Sequence, residues 1–92
     1  MTTPSPLALR ELVDRRLVIH LDLPPGSPVD HDRPFTDLGL DSTGVHALVG
    51  DLEDELGVPV PPETVFDHPT VRDLADHLHD ILGRDADPVS AP

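Results

Sequence analysis

The 92-residue chain has no cysteine and no lysine, and Phe35 and Phe66 are its only phenylalanine, tyrosine or tryptophan residues. Without cysteine the chain cannot form a disulfide, bind a metal through thiolates or use a thiol as a nucleophile. This composition agrees with a reducing compartment, and we expect the protein in the cytoplasm. Because no apolar run exceeds three residues, we expect neither a signal peptide nor a membrane-spanning segment.

Positive charge is scarce as well. Six arginines face eighteen acidic residues, so the formal net charge is −12. A protein this acidic repels nucleic acids and anionic membrane surfaces, and we expect neither as a partner. Residues 34–71, the acidic half, contain no arginine and eight acids: Asp37, Asp41, Asp51, Glu53, Asp54, Glu55, Glu63 and Asp67. This half is suited to docking on basic protein surfaces, although a run of charge is often only a solvated face.

The twelve prolines leave three proline-free windows, at residues 7–23, 35–58 and 70–87. Proline inside a helix removes a hydrogen bond and clashes with the preceding turn, so long helices are expected within these windows. Each window carries an apolar stripe at helical spacing. The stripes are Leu9, Leu12, Val13 and Leu17; Val45, Leu48, Val49, Leu52 and Leu56; and Val71, Leu74, Ala75, Leu78, Ile81 and Leu82.

Residues that commonly begin or end helices stand at the edges of these windows. Serine, threonine and aspartate accept hydrogen bonds from the free amides of a helix start, and proline fits the first turn. Glycine often follows the last turn. The predicted starts are Ser5 with Pro6, Asp41 with Ser42, and Thr70, and the predicted ends are His20, Gly57 and Gly83.

The sequence therefore predicts an all-α fold, a small bundle of three main helices and one short helical turn. A loop of about twenty residues separates helices 1 and 2, which is long for a compact domain, and we expect Phe35, Leu38 and Leu40 to pin it to the core. Residues 58–62 alternate like a strand, but their prolines cannot donate to a sheet, so we expect a short helical turn after them at residues 63–67.

The domain is expected to span residues 6–83, between a leader at 1–5 and a flexible tail or linker at 84–92 that is small and polar. Met1 and a short leader are typical of a free-standing protein, and a domain excised from a longer protein would look similar. Both phenylalanines are expected to anchor the core, and His68 to shape the turn into the last helix.

The most conspicuous segment for chemistry is Phe35-Thr36-Asp37-Leu38-Gly39-Leu40-Asp41-Ser42. A serine in the first turn of a helix is exposed, and the amides there favour an anion attached to it, such as a phosphate ester. On local physics alone, a simpler interpretation is favoured in which Asp41 and Ser42 only begin the helix.

This segment, together with Phe66-Asp67-His68-Pro69-Thr70 and the following Leu74-Ala75-Asp76-His77-Leu78, resembles acyl carrier proteins, in particular those of modular polyketide synthases. The resemblance covers residues 9–82. Peptidyl carriers typically have Gly-Gly-His-Ser where this chain has the end of residues 35–42. With Asp41 before the serine, this chain resembles the acyl carriers instead.

The resemblance implies a non-catalytic carrier with four helices. It implies that Ser42, flanked by Leu40 and Asp41, receives 4′-phosphopantetheine from coenzyme A through a magnesium-dependent phosphopantetheinyl transferase. The thiol of this arm would then carry acyl groups as thioesters between enzymes of polyketide-type biosynthesis. Further implied partners are an acyltransferase or acyl-loading ligase and a ketosynthase or other synthase domains, and we expect a monomer. The expected docking residues are Asp37, Asp41, Thr43, His46, Glu53, Asp54 and Glu63.

The second helix departs from the family pattern. Related carriers commonly have leucine or methionine after the serine, where this chain has Thr43 and Gly44. They usually show Val-Glu-Leu further along, where this chain has His46-Ala47-Leu48. Gly44 and Gly50 should each weaken the helix by about 1 kcal/mol relative to alanine, so we expect a looser helix and an altered partner surface.

Other functions fit less well. An acidic helical adaptor without a cofactor would share the composition and the helices. A small serine hydrolase would need Gly-x-Ser-x-Gly on a strand-to-helix turn, but Leu40 stands at the first glycine position. The pairs Asp73/His77 and Asp76/Asp80 lack further converging metal ligands, so we expect solvated helix residues and no metal site.

Overall fold

The computed structural model describes residues 4–86. Within this range the chain forms four α-helices and no β-strand, as the proline pattern predicted: α1 (Pro6–His20), α2 (Ser42–Leu56), α3 (Pro62–Asp67) and α4 (Val71–Ala86). α1 packs against both α2 and α4, and α3 packs on α2. None of the helices formed by residues 4–86 has the length and apolarity needed to span a membrane.

The predicted caps begin α1 and α4 and end α2. Ser5 Oγ accepts a hydrogen bond from the amide of Ala8 at 3.1 Å, and Thr70 Oγ1 accepts one from the amide of Asp73 at 3.1 Å. Gly57 follows α2 with a φ of 71°, a left-handed conformation that glycine adopts without steric cost. These three helix ends therefore lie where a local side-chain or backbone preference places them.

The end of α4 differs from the prediction. We expected Gly83 to stop this helix, but α4 continues through it to Ala86. Glycine ends a helix when it takes a positive φ, and Gly83 does not do so. In ordinary helical conformation it only weakens the helix. Residues 84–86 of the expected tail thus belong to α4, and residues 87–92 lie outside the described part of the chain, as do residues 1–3 of the leader.

A single hydrophobic core joins the helices and the long loop. Val45, Leu48 and Leu52 of α2 converge in it with Leu74 and Leu78 of α4, as the helical spacing predicted. Burying a valine or leucine side chain of this kind contributes about 1.5–3 kcal/mol relative to leaving it exposed. The packing of these stripes therefore holds the bundle together and fixes the orientation of α2.

The loop between α1 and α2 is pinned at its second half, as expected. Phe35 is 2% exposed and Leu40 is 4% exposed, and Leu38 packs against the core from a partly buried position. The amide of Phe35 also donates to the carbonyl oxygen of Pro69 at 2.8 Å. The segment that leads into α2 is therefore joined to the turn between α3 and α4.

Polar contacts hold the first half of the loop. His31 Nε2 lies 2.7 Å from Asp14 Oδ2 on α1, and the carbonyl oxygen of His31 accepts a hydrogen bond from the amide of Arg72 at 3.1 Å. The Arg72 side chain in turn pairs with Asp32, at 2.7 Å between Nε and Oδ1. These contacts tie the loop to α1 and to the start of α4.

Phe66 does not lie in the core, so the expectation that both phenylalanines anchor it is wrong for this residue. Its side chain is 61% exposed on α3, whereas Thr64 and Val65 beside it are buried. A six-residue helix that lies on α2 buries one side, and in α3 that side holds Thr64 and Val65.

His68 shapes the turn into α4, as expected. Its amide donates to the carbonyl oxygen of Thr64 at 2.9 Å and so closes α3. Its ring stacks on that of His77 in α4, with the ring centroids 4.1 Å apart. The turn is thus held at both of its ends.

Candidate functional site

Ser42 is the first residue of α2, and its side chain is exposed. The loop reaches it through a tight turn in which the amide of Leu40 donates to the carbonyl oxygen of Phe35 at 3.0 Å. Gly39 has a φ of 101° in this turn, which side chains other than glycine rarely allow. Because Leu40 is buried and α2 begins two residues later, the turn fixes the helix start and leaves Ser42 at the surface.

Asp41 caps α2, as predicted. Its Oδ1 accepts a hydrogen bond from the amide of Gly44 at 2.7 Å, and its carbonyl oxygen accepts one from the amide of Val45 at 2.8 Å. The first amides of a helix carry a partial positive charge. An anionic group bonded to Ser42 Oγ would therefore be attached at the favourable end of this fifteen-residue helix.

Gly44 allows a close approach between α2 and the loop. A Cβ at this position would lie 2.6 Å from Leu40 Cδ1 and 3.2 Å from Asp41 Oδ1. Around Gly50, by contrast, a Cβ would meet open space. The sequence suggested that both glycines only weaken the helix. It gave no sign that Gly44 makes room for the two residues before Ser42.

The expected docking residues are all exposed, and they form two groups along the chain. Asp37, Asp41, Thr43 and His46 lie on the loop and the first turns of α2, around Ser42. Glu53 and Asp54 lie near the end of α2, about three turns of helix away from Ser42, and Glu63 lies at the start of α3.

Several acids of the acidic half are engaged within the fold, which the sequence did not predict. Their partners lie on α1 or in the segment before α3. The pairs are Asp51 Oδ2 with His20 Nε2 at 2.6 Å, Glu55 with Arg16, and Glu53 Oε1 with the amide of Val60 at 3.0 Å. For Asp54 and Glu63, by contrast, the structure of residues 4–86 records no ion pair or side-chain hydrogen bond.

The contacts of α3 give its direction. The segment before it binds Glu53 near the end of α2, and the turn after it binds Phe35, just before the start of α2. α3 therefore runs back along α2 towards the end of the bundle that carries Ser42. Phe66 is exposed in the last turn of α3, which the sequence analysis missed because it assigned this side chain to the core.

His46 lies one turn after Ser42 and is exposed, as expected. Its Nδ1 is 2.8 Å from the carbonyl oxygen of Ser42. The ring thus contacts the backbone of Ser42 and not its hydroxyl, unlike a histidine that activates a serine nucleophile. The sequence signal for this contact is the i, i+4 spacing, which puts two side chains on one face of a helix.

Side chains that could ligate a metal do not gather in the described part of the chain. Among residues 4–86 no three histidine, aspartate or glutamate side chains are close enough to hold an ion. Asp76, one of the residues considered from the sequence, lies 3.9 Å from Arg10 across α1 and α4.

A family profile described as "Phosphopantetheine attachment site" matches residues 8–78. The chain belongs to this family. Phosphopantetheine is the prosthetic group that the family attaches, and its members are carrier domains that are in general non-catalytic. The resemblance carried by residues 35–42 and 66–70 is thereby confirmed.

The carrier domain is similar to segments of large synthases. It is 40% identical over 84 residues, 91% of the chain, to the spectinabilin polyketide synthase system protein NorA′ of Streptomyces orinoci. It is 48% identical over 50 residues, 54% of the chain, to the erythronolide synthase EryA3 of Saccharopolyspora erythraea. The chain spans only 2% of the length of each of these relatives.

Solved carrier structures share its fold. A free-standing peptidyl carrier protein from an uncharacterized secondary metabolic pathway of Acinetobacter baumannii superposes with a TM-score of 0.79 at 28% identity, over 85% of this chain and 96% of that one. The HMG-ACPI domain of the CurA module from Lyngbya majuscula gives a TM-score of 0.80 at 20% identity, over 95% of this chain and 92% of that one. The second likeness concerns the fold alone. The predicted four-helix carrier fold is confirmed.

The start of α2 fits the phosphate end of a phosphopantetheine group. The Ser42 side chain is exposed, and within residues 4–86 its hydroxyl has no recorded hydrogen bond. The adjacent helix amides favour an anion. Leu40, Asp41 and Gly44 hold this helix start in place without covering the serine.

Proposed function

We propose that this protein is an acyl carrier whose Ser42 bears a 4′-phosphopantetheine arm and which moves thioester-bound acyl groups between enzymes of polyketide-type biosynthesis. The observation that carries the proposal is the exposed Ser42 hydroxyl at the start of α2, within the stretch that matches the phosphopantetheine attachment family. The polyketide assignment rests on the synthases to which the chain is similar.

The attachment step is a group transfer from coenzyme A. Ser42 Oγ bonds to the phosphorus that carries the pantetheine, the phosphoanhydride bond to this phosphorus breaks, and adenosine 3′,5′-bisphosphate leaves. A magnesium-dependent phosphopantetheinyl transferase takes up the serine proton. The bound group supplies a thiol that forms thioesters, and since the chain has no cysteine, it has no thiol of its own for this chemistry.

The residues around Ser42 would keep the attachment point rigid and accessible. Leu40 anchors the loop in the core, and Asp41 caps the helix with its Oδ1. The amides of the first turn favour the negative charge that the phosphodiester brings. Among residues 4–86 no acid–base pair contacts the serine hydroxyl, which agrees with a substrate of the transferase and not with a hydrolase.

We propose separate docking roles for the two exposed groups of residues. Asp37, Asp41, Thr43 and His46 surround Ser42 and would contact the transferase, which must reach the hydroxyl. Glu53, Asp54 and Glu63 lie further along α2 and α3 and would guide the later partners, an acyltransferase or acyl-loading ligase and a ketosynthase or other synthase domain. Charge complementarity of this kind acts mainly on the rate of association. We propose further that the carrier acts as a monomer in the cytoplasm.

The test is the intact mass of the purified chain before and after incubation with coenzyme A, magnesium and a promiscuous phosphopantetheinyl transferase. We expect the wild type to gain one phosphopantetheine and Ser42→Ala to gain none. Thr36→Ala is the matched control, because it removes another exposed hydroxyl, in the loop before α2, and it should gain the same mass as the wild type. An adaptor without a cofactor would gain nothing in any form, and loading of Ser42→Ala would overturn the assignment.

A further inference from the structure

His46 is held beside the attachment serine by a defined contact. Its Nδ1 lies 2.8 Å from the carbonyl oxygen of Ser42, and because a carbonyl oxygen only accepts hydrogen bonds, Nδ1 must carry the hydrogen. The other ring nitrogen, Nε2, has no recorded partner among residues 4–86. The contact therefore fixes the position of the ring and leaves one nitrogen available to a group attached at Ser42.

The surroundings of the ring are open on one side. On the face of α2 that His46 shares with Ser42, the next position along is Gly50, where even a Cβ would meet open space. The carboxylates nearest in sequence are Asp41 and Asp51, each five residues away. Asp41 Oδ1 is bound to the amide of Gly44, and Asp51 Oδ2 lies 2.6 Å from His20 Nε2. On α3, which packs on α2, the charged groups are Glu63 and Asp67, both exposed. α1 also packs on α2; its Arg10, Asp14, Arg16 and His20 are each paired with another residue, and its Glu11 and Arg15 are exposed.

Cations are scarce around this position. No arginine or lysine occurs between Arg33 and Arg72, so His46 and His68 are the only side chains of that stretch that can become positive. The ring of His68 is stacked on His77. Among residues 34–71, His46 is therefore the side chain best placed to neutralise an anion on Ser42, since side chains four residues apart on a helix are neighbours.

We propose that His46, as an imidazolium, binds the phosphodiester that joins the arm to Ser42 and holds this first part of the arm against α2. This inference rests on the proposed attachment at Ser42. Protonation makes both ring nitrogens donors, so that Nδ1–H stays on the carbonyl oxygen while Nε2–H donates to a phosphate oxygen, a charge-assisted hydrogen bond. In the neutral ring Nε2 carries no hydrogen, so it cannot donate a hydrogen bond to a phosphate oxygen.

A histidine side chain ordinarily gains or loses its charge between about pH 5 and 8, whereas a phosphodiester keeps its single negative charge throughout that range. The contact therefore requires the protonated ring and is lost when the ring is neutral. The arm is held at its phosphodiester when the ring is protonated, and this contact is absent when the ring is neutral. No other part of the fold needs to change.

The experiment uses the holo chain and its ³¹P NMR resonance, recorded across about pH 5 to 8. The chain is loaded with coenzyme A by a promiscuous transferase, and intact mass confirms the loading. His46→Gln keeps a side chain that can donate to the Ser42 carbonyl but carries no charge. His79→Gln is the matched control, since His79 lies on α4 and contacts Pro4. Circular dichroism checks the fold at each pH.

We expect the phosphodiester resonance of the wild type to move with pH, the movement to be lost in His46→Gln, and His79→Gln to behave as the wild type. A wild-type resonance that stays still, or one that moves equally in His46→Gln, would overturn the role of His46 while leaving the attachment intact. Failure of the wild type to gain mass would instead overturn the proposed function, and this inference with it.

Discussion

Phe35 and Phe66 have opposite environments although both are phenylalanines in the acidic half. Phe35 is 2% exposed in the core, and its amide is bound to Pro69. Phe66 is 61% exposed on α3. Since truncation of a buried side chain removes contacts and leaves a cavity, whereas truncation of an exposed one does neither, the two residues must differ in their contribution to stability.

We predict that Phe35→Ala lowers the free energy of unfolding by about 3–5 kcal/mol, a large share of the stability of a small domain. Phe66→Ala should lower it by no more than about 0.5 kcal/mol. Urea unfolding followed by circular dichroism measures both values. Equal losses in the two variants would contradict the placement of Phe66 at the surface.

The sequence was sufficient to predict the helix caps but not the exposure of Phe66. The caps Ser5, Asp41 and Thr70 were predictable because a cap depends on residues three positions away along the chain. The exposure of Phe66 was not, because apolar character does not say which side of a six-residue helix faces α2.

The two glycines of α2 play different roles in that helix. Gly44 approaches Leu40 and the cap Asp41 so closely that a Cβ would lie 2.6 Å from the Leu40 side chain. Because Leu40 is buried, it has little room to move away. Gly50 faces open space, so it only adds flexibility to the unfolded chain and weakens the helix.

We predict that Gly50→Ala raises the free energy of unfolding by about 0.5–1 kcal/mol, the usual gain from replacing a glycine inside a helix. In Gly44→Ala the clash with Leu40 should outweigh this gain, so the free energy of unfolding should be lower than that of the wild type. Thermal unfolding of the two variants side by side gives the comparison. A more stable Gly44→Ala would show that the helix start does not require the close approach.

The elements themselves were largely predictable. Proline is excluded from a helix interior, so the proline-free windows showed where α1 and α2 lie, and the residues expected at the helix ends, such as Asp41 and Gly57 for α2, then gave their bounds. Gly83 was misjudged because glycine stops a helix only when it takes a left-handed conformation, and the sequence does not reveal φ.

The negative charge of the whole molecule is distributed between internal contacts and free surface. Arg16 and Glu55, which join α1 to α2, are 39 residues apart in the sequence, so no local pattern could have predicted their pairing. Glu53 likewise serves the fold by accepting from the amide of Val60. Asp54, beside it, is exposed and free to meet a partner.

We predict that Asp54→Asn slows acyl loading of the holo carrier by its cognate loading enzyme without changing stability. The difference from the wild type should narrow as salt is raised, because exposed charges are screened over about 8 Å at physiological ionic strength. Glu53→Ala removes both a docking charge and the acceptor of the Val60 amide, so it should slow loading and also cost about 1 kcal/mol of stability. Equal loading rates for Asp54→Asn and wild type at low salt would remove Asp54 from the docking surface.

The central claim, that the molecule is a carrier charged at Ser42, is tested most directly by locating the added group. After loading with coenzyme A by a phosphopantetheinyl transferase, fragmentation of the intact chain in a mass spectrometer assigns the phosphopantetheine to one residue. We predict a single group on Ser42. A group found on Thr36, Thr43 or any other hydroxyl, or a chain that stays unmodified under conditions that load a known carrier, would contradict the account.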